Sequence, residues 1–493
     1  MDLMVRRLAL SLLEFNIKKE DMIGIMLPNR VEYVASLLAI QKISAVPVPL
    51  NYGFGVSDLG ALLSFIEPVA LITTSEYKGR DLSKMVKQVQ SKAPSLKYII
   101  VDGESVPEGM ISFRELTQKP AENRYRRSYL DLFKPDPNDI CLMLLTSGTT
   151  AIPKGVLHVH NAFASGSYTT TCNFAIRPDD VYFGVVPWFG ASGNYIIAQA
   201  LTQGNTLVGM DGFSSEQALR VTAMEKPTYA WAVATQYIDM LNVPNFKDYD
   251  VSSLRLLVSG GAPLHCEVAR RLEKSFNTKI LQGWGTSETM GTTWNLYTDP
   301  QEVIWNSVGH PLPHQELMIV DSDGKEVTAG EPGEVITRGP LNFVGYFNNP
   351  ELNKKHIDDE GWFHTGDMGT VDSNGNLRIV GRMSDMILRG GENIYPKESE
   401  EILCKHPKVK DVAIVGMPDI RLGEKACAYI IPKAGETITF EEMVSFLKNK
   451  VALHKIPERL ETMERFPMTD AGKVIKTMLR EDVTAKLRAE GKI

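Results

Sequence analysis

Cysteine is scarce and scattered in this sequence: Cys141, Cys172, Cys266, Cys404 and Cys427 form no CxxC pair in 493 residues. Neither a structural zinc site nor a disulfide framework is expected, and a reducing, cytoplasmic setting fits. Basic residues are not in surplus either. Fifty-three Lys and Arg face 60 Asp and Glu, a formal net charge of -7. A nucleic-acid binder needs a cationic stripe to neutralise phosphates, and none is visible. Long apolar runs are missing too, since nothing approaches the ~20 residues needed to span a bilayer. The N-terminal stretch has Arg6 and Arg7 followed by apolar residues, but Glu14 interrupts it and Lys18-Lys19-Glu20-Asp21 follows where a cleavage site would stand. Val5, Leu8, Leu12 and Phe15 fall at helical spacing, so an amphipathic globular helix is predicted there rather than a secretory signal.

What is present is enough for a large core: 43% of the residues are hydrophobic, and this length suggests about two to four structural units. The first half alternates strands and helices. A strand is predicted at 22–27, a helix at 28–43 opened by Pro28, and a strand at 45–50. The pattern recurs through strands at 69–74, 98–102 and 140–145, which implies parallel sheet covered by helices. From about Glu316 the texture changes to short strands (316–321, 333–338, 377–380) parted by Asp323-Gly324 and Asn374-Gly375, read as a small antiparallel barrel or sheet. Beyond Arg382 a second, α+β unit is expected. It has helices at 396–404 and 440–453, strands at 412–415 and 426–431, and a capping box formed by Thr439 and Glu442.

The chemistry concentrates in a few segments. Thr146-Ser147-Gly148-Thr149-Thr150-Ala151-Ile152-Pro153-Lys154-Gly155 follows an apolar strand. A hydroxyl- and glycine-rich loop with one lysine can present several donors to a polyphosphate, although it is no Walker A motif. Alone, such a loop is most often just a surface loop. Val258-Ser259-Gly260-Gly261-Ala262-Pro263-Leu264, Gly283-Trp284-Gly285-Thr286-Ser287-Glu288 and Trp362-Phe363-His364-Thr365-Gly366-Asp367 follow. Then come Gly381-Arg382, Gly390-Gly391-Glu392-Asn393-Ile394-Tyr395-Pro396 and finally Pro467-Met468-Thr469-Asp470-Ala471-Gly472-Lys473. Trp284 offers a flat face for an adenine, with the Gly260-Gly261 backbone opposite. Glu288 and Thr146 carry the hard oxygens magnesium prefers. Asp367 can accept from both hydroxyls of a ribose, and Arg382 can donate to the same sugar. His158 and His160, two apart on a predicted strand, share a face, but no third ligand has metal-site spacing.

In this order and spacing, from about Asp21 to Arg480, the segments resemble the adenylate-forming superfamily of acyl-CoA synthetases, peptide-synthetase adenylation domains and luciferases. The resemblance implies a large adenylating domain over 1–381, α/β with parallel-rich sheets plus a β-barrel at about 305–381. A hinge at 382–385 and a small mobile α+β C-terminal domain over 386–493 would follow. It implies ATP, Mg2+ and coenzyme A as cofactors and co-substrates and a carboxylic acid as substrate; a homodimer is compatible with it.

By the same resemblance, Lys473 and Glu288 are the catalytic pair, with Glu288 and Thr146 at the metal. Thr146, Ser147, Gly148, Thr149, Thr150 and Lys154 would hold phosphates. Gly260, Gly261, Ala262, Gly283, Trp284, Gly285, Thr286, Ser287, Asp367, Ile379 and Arg382 would hold the nucleoside. Gly390 and Gly391 would flank the thiol tunnel. Trp188, Phe189, Gly190, Trp231, Ala234, Gly261, Gly285 and Met290 would line the acid pocket. His160-Asn161 is similar to the family's segment after the phosphate loop.

Departures matter as well. Ala151 replaces a usual glycine, Ser384 an Asp or Lys at the hinge, and Gly190 a bulky ring that gates the tunnel, a task left to Trp188 or Phe189. Measured against the family the chain also opens late, so an early strand or helix is expected to be lacking. The activity implied is activation of a medium-chain, branched, alicyclic or aromatic acid and its transfer to CoA. The rivals are transfer to a carrier-protein phosphopantetheine and a non-catalytic nucleotide-binding module, the latter opposed by the intact set Glu288, Asp367, Arg382 and Lys473.

Overall fold

The computed structural model describes residues 1–146, 154–262, 264–390, 392–469 and 473–493. The N-terminal stretch is the helix Asp2–Glu14, with Val5, Leu8 and Leu12 buried on the expected face. A first sheet has the order Val46–Pro49, Met22–Met26, Ala70–Thr74, Tyr98–Asp102, Ile111–Ser112, parallel throughout. The helix expected from Pro28 begins only at Val31. Asn29 explains the delay. Its side chain donates to the Val186 carbonyl at 2.9 Å and accepts from the Trp188 amide at 2.8 Å, pinning the turn to the second sheet.

That second sheet runs Thr206–Gly209, Val181–Gly184, Tyr229–Trp231, Leu256–Ser259, Lys279–Trp284 in parallel. Two short antiparallel strands, Thr293–Trp294 and His310–Pro311, complete it. One continuous core joins the two sheets. The strand Ile140–Thr146 corrects the sequence reading: it does not extend the parallel sheet. It pairs antiparallel with Lys154–Val159, which in turn pairs with Gly345–Tyr346. A short β-hairpin and a β-α unit open with the same apolar run, and periodicity cannot separate them. His160 is also not on the strand. It opens the helix His160–Asn173, so the two histidines do not share a strand face.

Residues 316–382 form a four-stranded antiparallel sheet ordered Glu316–Val320, Gly333–Arg338, Phe363–Val371, Leu377–Arg382. The third strand carries the Thr365-Gly366-Asp367 motif through its middle. A last sheet, built from Ile387–Arg389, Glu392–Ile394, Val409–Asp419, Gly423–Pro432 and Arg459–Thr462, has its own buried clusters on both faces. The helix expected over 440–453 stops at Leu447, but its Thr439–Glu442 capping box forms as read. No helix among the described residues is long and apolar enough to cross a membrane.

Candidate active site

Four of the segments singled out in the sequence leave one edge of the second sheet. Phe189 and Gly190 lie just beyond Val181–Gly184, Trp231 ends its strand, Gly260 to Ala262 follow Leu256–Ser259, and Gly285 to Glu288 follow Lys279–Trp284. Carboxyl ends of parallel strands make such crevices because each strand must turn away there, leaving loop backbone free to meet a ligand. At Gly261 φ is +83°, a left-handed turn that glycine adopts without strain. At Gly285 the reason is contact: an added β-carbon would sit 1.7 Å from the Met290 carbonyl oxygen. Ala262 and Met290 pack into the adjoining core, and Ala234 begins the helix Ala234–Leu241.

Asp367 is the electrostatic centre. It is only 4% exposed. Its Oδ2 accepts from the Trp284 indole N–H at 2.8 Å, and its Oδ1 lies 3.0 Å from Arg382 Nε. The pairing is written into the sheet, where Asp367 and Arg382 are opposite one another. Burial pushes the Asp367 carboxyl up, against the pull of Arg382 and Trp284. No donor among the described residues is aligned for a hydrogen bond to Oδ1, so one buried acceptor is left for a ligand hydroxyl. Trp284 departs from the sequence reading in one respect. Most of its ring packs against Ile319, Val335, Leu377 and Ile379, leaving it 8% exposed.

A second cluster lies around Glu288. Its Oε1 accepts from the Tyr346 hydroxyl at 2.9 Å, and its carbonyl from the Phe343 amide at 2.7 Å. Burial, with the Glu288 charge behind it, pushes the Tyr346 phenol up, so it stays a donor. Lys154 Nζ stands 5.2 Å from the centroid of the Tyr346 ring, and Lys154 pairs with Thr146 across the hairpin. Thr286 and Thr289 brace the same loop: the Thr286 amide donates to Thr289 Oγ1 at 3.0 Å, and the Glu288 amide to Thr286 Oγ1 at 3.1 Å. The Ser287 carbonyl points away, to His158 Nε2 at 2.7 Å.

Lys473 comes into this cleft from the C-terminal sheet's side of the chain. Its side chain is open to water, yet enough protein surrounds it that burial, and then Arg382, push its ammonium pKa down, while Asp367 and Glu288 oppose that. It therefore sits in a crevice rather than in a core. Nearby, Lys397 Nζ donates to the Ile379 carbonyl at 2.6 Å, Arg378 pairs with Glu401 at 2.6 Å, and Arg480 donates to the Ser384 carbonyl at 2.9 Å. Gly390 stands elsewhere, its amide bonded to the Leu422 carbonyl at 2.8 Å. Ser147, Gly148, Thr149, Thr150 and Gly391 lie outside the described residues.

The residues expected from the sequence to line an acid pocket divide. Trp231 meets Trp294 edge to face at 4.8 Å, with Phe174 and Tyr195 beside them, and the Trp294 ring comes within 3.0 Å of a β-carbon added at Gly260. Trp188 is about as buried as Trp231 and Trp294; its ring stands edge-on to Tyr33 at 6.1 Å, and its carbonyl accepts from the Tyr33 hydroxyl. Phe189, next to Gly190, is half-buried and edge-on to Tyr52 at 5.4 Å. Sequence reasoning missed Tyr346, Trp294 and Lys397. Trp294 could have been noticed as an apolar ring six residues beyond Glu288; the other two carry no local signal.

The chain matches the family of AMP-binding enzymes over residues 1–347 and the C-terminal domain of AMP-binding enzymes over 398–473. It belongs to the adenylate-forming superfamily. This AMP-binding enzyme is 31% identical to the medium-chain fatty-acid–CoA ligase of Escherichia coli (strain K12), over 97% of its own length and 84% of the relative's. It is 31% identical to the 2,3-dihydroxybenzoate-AMP ligase of Bacillus subtilis (strain 168), over 99% and 89%. Among solved structures, the anthranilate CoA ligase AuaEII in complex with anthranoyl-AMP superposes with a TM-score of 0.89 at 26% identity, covering 99% of this chain and 92% of that one. Enzymes of this family use ATP, and the chain is an adenylate-forming ligase.

Proposed function

We propose that the protein is an acyl-CoA synthetase acting on a medium-chain, branched, alicyclic or aromatic acid. The observation that carries this is the convergence of Lys473 with Asp367, Arg382 and Glu288 in one cleft. A carboxylate oxygen of the acid attacks the α-phosphorus of ATP and pyrophosphate leaves. The thiolate of CoA then attacks the acyl carbonyl carbon, and AMP leaves. Asp367 and Arg382 hold the ribose, and the Gly260–Gly261 backbone and the accessible edge of Trp284 flank the adenine. Thr146 and Lys154, with Ser147 to Thr150, hold the phosphates.

Glu288 suits magnesium. Tyr346 occupies Oε1, no described residue donates to Oε2, and a magnesium ion bound with phosphates needs only one or two carboxylates. Bound there, the ion would neutralise phosphate charge. Lys473 bridges the carboxylate and the α-phosphate.

We further propose a large unit over 1–381, a hinge over 382–385 and a small unit over 386–493 that turns between the two steps, bringing Gly390 and Gly391 to the acyl-adenylate. The Lys397–Ile379 bond and the Arg378–Glu401 pair belong to the first orientation. Lys397→Met is expected to slow adenylate formation by up to about tenfold, the worth of one buried hydrogen bond. It should leave thioester formation from supplied acyl-adenylate unchanged or faster. Half-reaction rates check this; equal slowing of both steps counts against the latch.

The acid is read from Trp231 and Trp294, an aromatic wall beside Gly260. In a pyrophosphate-release screen of straight-chain and aryl acids, kcat/KM should rise by roughly fourfold per methylene until the pocket fills, from ~0.8 kcal/mol per buried CH2. Trp294→Ala should move the optimum to longer or wider acids. Acetate as best substrate, or an unmoved optimum in the variant, contradicts this assignment. The similarity to an aryl-AMP ligase supports one second reading, loading of a carrier-protein phosphopantetheine. Comparing AMP release with CoA and with a holo carrier protein decides between the two thiols.

A further inference from the structure

His158 lies fully buried in the strand Lys154–Val159, the second arm of the hairpin, against the Glu288 loop. Its Nε2 stands 2.7 Å from the Ser287 carbonyl oxygen. Burial pushes its pKa down to about 4, so the ring is neutral at ordinary pH and has one proton to place. A carbonyl can only accept, which puts that proton on Nε2. Nδ1 keeps its lone pair and has no partner among the described residues, and Phe163 packs edge-on at 5.9 Å. A leucine would suit this apolar slot without an orphan nitrogen. What the imidazole adds is one N–H, directed at the residue that precedes Glu288.

We propose that His158 is a positioning residue for Glu288. Three contacts then fix the loop from three sides: His158 on the Ser287 carbonyl, Phe343 on the Glu288 carbonyl, and Tyr346 on the carboxylate. Backbone and side chain are both held, so Oε2 is presented in one direction instead of several. His158 itself touches neither substrate nor metal. The inference rests on the reading that Glu288 meets magnesium-ATP.

The test is calorimetric binding of α,β-methylene-ATP, which cannot be turned over, with and without Mg2+. His158→Leu should lower the magnesium-dependent part of the affinity by about 10-fold or more, the usual effect of losing a group that orients a metal ligand. Affinity without magnesium should not change. His158→Gln, whose amide nitrogen reaches the place of Nε2, should restore most of the loss. His158→Asn, which reaches only the place of Nδ1, should not. Glu288→Gln is the reference. If Glu288→Gln leaves the magnesium dependence intact, the metal reading of Glu288 is wrong and the inference goes with it. If Glu288→Gln abolishes that dependence while His158→Leu behaves as wild type, only the role of His158 is overturned. Should His158→Leu fail to fold by circular dichroism, the Gln and Asn variants decide, and equal binding by those two overturns the proposal.

Discussion

Lys473→Ala is expected to lower the rate of acyl-adenylate formation from acid and ATP by on the order of 100- to 1000-fold. Thioester formation from acyl-adenylate supplied ready-made should stay near wild type. Negative charge gathers between carboxylate and α-phosphate in the first step, and a cation held there stabilises that transition state more than the ground state. The structure gives the lysine the right neighbours, with Asp367 and Glu288 favouring its charge and Arg382 opposing it. The Gly390 amide is bonded instead to the Leu422 carbonyl, and on the proposed alternation the small unit turns to bring Gly390 to the acyl-adenylate for the second step.

The depressed ammonium pKa adds a pH signature. Lys473 loses its proton at a lower pH than a free lysine, so adenylate formation should decline on the alkaline side earlier than a free lysine would dictate. Lys473→Arg, whatever activity it keeps, should move that limb outward because guanidinium does not titrate there. The measurement is two half-reactions per variant, with circular dichroism as the folding control. Equal loss in both half-reactions would falsify the alternation of the small unit.

Asp367→Ala should weaken ATP binding by on the order of 100-fold, since hydrogen bonds to a charged acceptor contribute about 1.5–3 kcal/mol each. Oδ1 has no aligned donor among the described residues, and the side chain is almost completely buried. Beside Arg382, Oδ1 can accept from one ribose hydroxyl, and the lone pair that Trp284 leaves on Oδ2 can accept from the other. The variant also strips the Trp284 indole N–H of its acceptor, so some loss of stability is expected, and Asp367→Asn should lose less. Sugar analogues separate binding from stability. Wild-type protein should discriminate against both 2′-deoxy- and 3′-deoxy-ATP, whereas Asp367→Ala should bind them as well as it binds ATP. If the variant discriminates as strongly as wild type, Asp367 does not touch the ribose.

Much of the site was legible in the sequence because its groups sit in short contiguous segments. Gly285-Thr286-Ser287-Glu288 is one loop, and its glycine is needed for a local reason, the nearness of the Met290 carbonyl. The capping box at Thr439 and Glu442 and the apolar stripe of the first helix were equally local, set by side chains three or four residues apart. The sequence by itself therefore determined the alternating α/β texture, the change to antiparallel strands after Glu316, and the segments that the structure gathers around Asp367 and Glu288.

Tertiary structure decided what those loops touch. The strand Ile140–Thr146 reads the same in a parallel sheet and in a hairpin; only its partner, Lys154–Val159, settles which. Trp188 and Trp284 look in the sequence like rings offered to ligands. Packing against Tyr33 in one case and against Ile319 and Val335 in the other makes them largely core. Tyr346 reaches Glu288 from 58 residues away, and His158 reaches Ser287 from 129. Such contacts have no periodicity to betray them, because they depend on where whole sheets pack rather than on which residues are neighbours in the chain.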